Sequence, residues 1–381
     1  MKKMLTLLLA LLLTTPVLQT QAAVPGTAAE EMARAEKVLA DVAAMQFPAD
    51  NTDVKMPCPI CGETVTWLAW GMESEINTRD NRYLENKHLY LISDFTGTEI
   101  NDPITNAWGW VFRTAKANTH SVIHLNGKTL KASQGGISSF HGEVNVIGDG
   151  YVWGNRGTNK SFGSNLDAGE GATLNIYGGT YYKTSARPLL YVNGEGSTCN
   201  IYGGKLEGND AKADGTVAVE NGGSFNMYGG TVETGYLSKE GDTLLVNTDS
   251  KACVYGGSVI GGKDETGGNI YVGGTLEIHG GNISGAIKEF DGKLTITGGK
   301  LNSQILGEAV TVEGGTFTTD ITKLVPEGIQ VRQKDGVYGV GADAVMGGDV
   351  PWLWIAIGGV AVLVVAITVV ALAARKKKED E

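Results

Sequence analysis

Cys58 and Cys61 are the side chains whose types and spacing most directly suggest chemistry, in the run Cys58-Pro59-Ile60-Cys61-Gly62. Cys-x-x-Cys-Gly is half of a zinc ribbon, and a closed zinc site needs four ligands. No second cysteine pair follows, but His88, His120 and His124 are available to complete one. The sequence leaves three states open for the pair: a local disulfide, a metal site, or free thiols. A redox enzyme is disfavoured because no thioredoxin-like βαβ pattern surrounds the motif. The other two cysteines, Cys199 and Cys253, fall on opposite faces of strands two repeats apart and are not expected to bond to each other. Cys199 reads as a small core filler and Cys253 as an exposed thiol.

A second constellation is periodic. Tyr177, Tyr202, Tyr228 and Tyr255 recur at one position of four successive repeats, and Asn175, Asn200 and Asn226 recur two residues before the first three. Stacked identical residues stabilise a solenoid whether or not anything binds them. The functional alternative is a flat strip for a polysaccharide, with rings against sugar faces and amides on hydroxyls, or a contact surface for a partner protein. Tyr181, Tyr182, Tyr191, Tyr236 and Tyr271 add aromatic surface, and Trp153 with Arg156 forms another contact patch.

Catalysis is harder to place. Glycoside hydrolysis needs two carboxylates across the scissile bond. Asp167, Glu170, Glu207, Asp210, Glu233 and Asp264 fall mostly in loops and do not match in repeat position. Lys183, Arg187, Lys205 and Lys212 are available as bases without forming a cluster. No nucleotide-binding loop or metalloprotease motif is present, and no cofactor is expected.

The elements that must position these residues follow from the repeat itself. Glycine pairs begin at Gly178, Gly203, Gly229, Gly256, Gly280, Gly298 and Gly314, each preceded by a short alternating strand such as Leu174-Asn175-Ile176-Tyr177. Alternation puts the first and third residues inside and the second and fourth outside. Intervals of 24 to 27 residues, shortening to 18 and 16, fit single coils of a parallel β-helix. A four-stranded propeller blade needs about 40 residues. The expected fold is all-β, a right-handed parallel β-helix over 118–320, with an N-terminal helix and a C-terminal transmembrane helix. Residues 54–117 are the lead-in carrying the Cys-x-x-Cys motif, and 321–340 cap the other end through Ile321, Leu324 and Val325. Within residues 24–53, a helical spacer region, Thr27 to Gln46 reads as a helix ended by Phe47-Pro48-Ala49-Asp50-Asn51, either a spacer or one that packs onto the coils.

The termini locate the solenoid. Residues 1–23 have the basic start, apolar run and small-residue site of a secretory signal peptide. Trp352 to Ala374 is uncharged and long enough to span a bilayer, and 375–381 begins Arg375-Lys376-Lys377-Lys378, which should stay cytoplasmic. Residues 341–351 form a short linker. The formal net charge of −11 makes nucleic acid an unsuitable partner. The 55 glycines follow no collagen triplet and mark turns instead.

Cys58-Pro59-Ile60-Cys61, His88-Leu89-Tyr90-Leu91, His124-Leu125-Asn126-Gly127-Lys128-Thr129-Leu130, the Tyr-Gly-Gly coils and Val312-Glu313-Gly314-Gly315-Thr316-Phe317 together resemble adhesin-like surface proteins of Gram-positive, clostridia-like bacteria. That group carries a pectate-lyase-like right-handed β-helix, and the resemblance covers roughly 58–340. It implies a cell-surface protein whose ligand is a polysaccharide or a host or bacterial surface protein. A polysaccharide lyase or glycoside hydrolase on the same scaffold, or a purely structural surface protein, is the alternative. An LPxTG sorting motif is common in such proteins, whereas here the corresponding stretch is Gly347-Gly348-Asp349-Val350-Pro351-Trp352. Retention by the 352–374 helix is therefore expected in place of wall attachment.

Overall fold

The computed structural model describes residues 26–71, 84–96, 110–132, 135–154, 164–183, 188–208, 215–234, 242–261 and 269–344. The signal peptide, the 352–374 span and its tail, and Arg156, Arg187, Asp210, Lys212, Tyr236 and Asp264 lie outside these residues. Among the described residues no helix is long and apolar enough to cross a membrane.

The chain forms a right-handed parallel β-helix with three strand faces per coil. A representative coil runs Thr173–Ile176, Thr180–Lys183 and Leu190–Asn193. Each strand pairs in parallel with its counterpart one coil on, for example Leu174 with Cys199 and Asn175 with Asn200. The third face is a separate nine-stranded sheet. Alternation fills the interior: Leu174, Ile176, Cys199, Ile201, Phe225 and Met227 are all buried in one continuous core.

The glycine pairs are enforced by coil stacking. Gly230 has φ +76°, and a Cβ there would sit 2.7 Å from the Gly204 carbonyl oxygen of the preceding coil. No L side chain fits that corner.

The coil stack begins earlier than residue 118. Strand β1 (Val54–Pro57) pairs antiparallel with β2 (Thr64–Trp70), which already pairs in parallel with β3 (His88–Leu91). Strand β3 in turn pairs with His120–His124. At the other end, Ile321 is buried and Leu324 and Val325 pack on the core. A hairpin of Val331–Lys334 and Val337–Val340 closes the last coil by antiparallel pairing with Val310–Phe317.

Of the two roles open to the N-terminal helix, helix α1 (Gly26–Ala43) takes the second and packs against the coils. Ala35, Val38 and Val42 are buried in a second apolar cluster with Tyr177, Tyr202, Ile147, Val122, Tyr90, Trp67 and Cys58. The spacing of 35, 38, 39 and 42 puts these residues and Leu39 on one helical stripe. Met32 lies near Gly256 and Leu39 near Gly203, so α1 runs along the stack and covers the outside of the first face.

Candidate functional site

The tyrosine ladder is real, but it is not the exposed strip expected from sequence. Tyr177, Tyr202, Tyr228 and Tyr255 stack at 4.5, 5.0 and 5.1 Å between ring centroids, with interplanar angles of 10 to 14°. His279 continues the stack at 5.0 Å. Because each ring lies face to face with the next, the faces a sugar would use are occupied by neighbouring rings. Tyr177 and Tyr202 are also buried under α1, and the Tyr202 hydroxyl meets Glu31 Oε2 of the helix at 3.1 Å. Tyr228 and Tyr255 are half-buried.

The asparagine ladder is likewise turned upon itself. Asn175 donates to Asn145 Oδ1 at 3.0 Å, Asn200 to Asn175 at 2.8 Å, and Asn226 to Asn200 at 2.9 Å. Asn145 is a fourth member not singled out from sequence, since its repeat ends in Ile147 where the others have tyrosine. Cys253 takes the next position in the row, followed by Glu277. Contrary to expectation, Cys253 is buried, 3.7 Å from Glu277 Oε2, because neighbouring coils cover its outward side.

Three further expectations are corrected. Glu207 and Glu233 do match in repeat position: they pair in register one coil apart, and Lys205 Nζ bridges them at 3.1 and 2.6 Å. Tyr181 adds no surface: it is fully buried, and its hydroxyl donates to the Gly178 carbonyl at 2.9 Å. Lys183 is no free base, since it is buried and donates to the Pro188 carbonyl at 3.1 Å. It lies beside Asp167, whose carboxyl is pushed up to about 7 by burial, with Lys183 opposing the shift. Trp153 is half-buried, with the Lys131 ammonium 3.9 Å from its ring centroid.

The open concave surface lies on the C-terminal coils. A groove of about 480 Å³ lies between Met32, the Tyr255–His279 stack, the glycine corners, Lys300 and Asp343. A second, of about 520 Å³, lies between Ile260, Asn302, Phe317 and Val337. Both are lined by Ser258, Asn282, Lys300 and Thr316. These four residues are in register on successive coils, so they form one polar row joining the two grooves. Asn282 and Lys300 are exposed. Asp343 is the carboxylate lining the trough, and its Oδ2 accepts the Gly315 amide at 2.7 Å. Sequence reading missed the row. Its signal is that each residue directly follows a glycine pair, a position that is polar in every regular coil from Thr180 onward.

The Cys58–Cys61 motif forms a second candidate site. The disulfide considered from sequence is not formed, and all four cysteines are free thiols. The motif occupies the turn between β1 and β2, where the Gly62 amide donates to the Cys58 carbonyl at 2.8 Å and the Cys58 amide to the Glu63 carbonyl at 2.8 Å. The amides of Ile60 and Cys61 donate to the Cys58 sulfur, and burial pushes that thiol up to about 11. The turn brings both cysteines to His88, with all three potential ligand atoms within 4.8 Å of one another. Burial, aided by His120, pushes His88 down to about 4, leaving it neutral. His124 is not part of this group. It is buried beside Phe47 at 4.8 Å between ring centroids, and its Nδ1 accepts the Asn126 amide at 3.0 Å.

Comparison with family models, with curated proteins and with solved structures finds no match to this chain.

Proposed function

We propose that this protein is a membrane-tethered extracellular β-helix that binds an extended glycan in the trough along its C-terminal coils. The observation that carries the reading is the in-register polar row Ser258, Asn282, Lys300 and Thr316 between two open grooves. One hydroxyl, amide or ammonium per coil, at a spacing of about 4.8 Å, offers a repeating set of hydrogen-bond partners. Such a set suits a repeating, hydroxyl-rich chain. The exposed apolar side chains Ile260 and Val337 suit the less polar face of a sugar ring.

The resemblance to adhesin-like surface proteins supports the same class of ligand, and the signal-like 1–23 and apolar 352–374 support display outside the cell. Cleavage of the glycan is less well supported, because the described residues lining the trough offer one carboxylate, Asp343, and no pair. The tyrosine and asparagine ladders then serve to hold the coils and seat α1.

The test is a glycan array probed with the full-length chain in detergent and with an Asn282→Ala/Lys300→Ala variant. Both side chains are exposed, so the variant should fold. Binding by the parent that the variant loses supports the trough. Binding that survives in the variant, or none on a broad array, refutes it.

A further inference from the structure

We infer that Cys58, Cys61, His88 and His120 form a zinc site that fastens the N-terminal turn to the first two coils. Three of the four donors are already assembled, with Cys61 Sγ 3.9 Å from His88 Nε2. Tetrahedral zinc, with Zn–S about 2.3 Å and Zn–N about 2.0 Å, sets sulfur and nitrogen about 3.5 Å apart. The Cys61–His88 spacing is thus a few tenths of an ångström from that of an occupied site, and all three donors lie within 4.8 Å of one another.

His120 is assigned as the fourth ligand on independent grounds. Its ring centroid is 6.3 Å from that of His88. Its Nδ1 lies 3.4 Å from Glu143 Oε2, while its Nε2 is buried with no hydrogen-bond partner. A carboxylate on Nδ1 fixes the proton there and leaves Nε2 as a lone-pair donor, the arrangement found behind metal-bound histidines. A buried nitrogen without a partner is otherwise an uncompensated cost.

The donor set selects the ion. Two thiolates and two imidazoles suit zinc, whereas calcium and magnesium take oxygen ligands. Binding displaces one proton from each thiol and uses the neutral imidazole lone pairs. Access is open on the side of Cys61, whose side chain is exposed. The ligands come from the β1–β2 turn, from β3, and from His120–His124 one coil further on. An ion would therefore tie three successive layers at the end of the stack.

The experiment uses the full-length chain purified in detergent under reducing conditions, with zinc content measured after exhaustive dialysis and cobalt(II) added as a spectroscopic probe. The expected result is one zinc per chain, a tetrahedral cobalt spectrum and a sulfur-to-cobalt charge-transfer band. Cys61→Ser targets an exposed side chain and should leave the fold intact by circular dichroism while losing stoichiometric zinc. His120→Ala should change the cobalt spectrum, and Glu143→Gln should weaken zinc binding about 10-fold or more. His141→Ala, at a histidine paired with Glu170, should change nothing. Three results would overturn the assignment: no retained zinc and no tetrahedral cobalt spectrum, equal zinc retention in folded Cys61→Ser, or protein from an oxidising compartment with the pair disulfide-bonded and metal-free. A cobalt spectrum unchanged by His120→Ala would remove His120 from the ligand set.

Discussion

Replacing Tyr202 by Ala separates the covered part of the ladder from the open trough. Tyr202 is 8% exposed, stacked between Tyr177 and Tyr228, and in contact with Glu31 of α1. Truncating a buried aromatic costs about 3–5 kcal/mol. Because α1 lies on the surface and can settle into part of the gap, about 3 kcal/mol is the expected loss. Two of its neighbours belong to the coils and one to the helix, so roughly a third, about 1 kcal/mol, should fall on helix docking. That amount corresponds to about a fivefold rise in the undocked population. Arg34 and Lys37 lie on the exposed side of α1, so limited trypsin digestion at these sites reads that population directly. The expected result is about fivefold faster cleavage within α1, a lower urea midpoint, and unchanged glycan binding by the trough. Unchanged cleavage and unchanged stability would refute the covering role of α1. Loss of glycan binding in a variant that remains folded would return the binding site to the ladder.

Other variants probe the stack and its buried charge. Gly230→Ala should cost about 3 kcal/mol or more, because its Cβ meets backbone at 2.7 Å and no rotamer relieves the clash. Gly336→Ala, at φ +82° with nothing within 4 Å, should cost only about 1–2 kcal/mol from the left-handed backbone; equal urea midpoints for the two would contradict tight coil stacking. Asp167 is held protonated by burial, its carboxyl raised to about 7 from an ordinary 3.8. The folded state therefore binds more protons than the unfolded one between these limits, and stability should fall as pH rises from about 4 to 7. Asp167→Asn should flatten that slope in thermal melts, and parallel slopes for the two proteins would refute the assignment. Asn200→Ala leaves Asn226 without its acceptor and Asn175 Oδ1 without its donor, and should cost about 1–3 kcal/mol by denaturation.

The interior of the solenoid was legible because it repeats chemically as well as geometrically: Leu174, Cys199 and Phe225 differ in size but share one side of an alternating strand before a glycine pair. The early coils lack that signature. Ala69, Tyr90, His124 and Ile147 occupy the position later held by the tyrosines, yet nothing in their types relates them, and only strand pairing shows the row. The error over the ladder has a different cause. Alternation distinguishes inside from outside a coil but does not say whether the outside faces water. Two facts in the sequence bear on that question jointly: α1 carries an apolar stripe at 35, 38, 39 and 42 that needs a partner, and the tyrosine row is an apolar stripe of matching extent. Burying each against the other removes both from water, which neither can do alone. The residues that follow the glycine pairs differ in kind from both stripes. On the last coils, at Ser258, Asn282, Lys300 and Thr316, the row is polar and lines an open trough that Met32 of α1 borders at one edge.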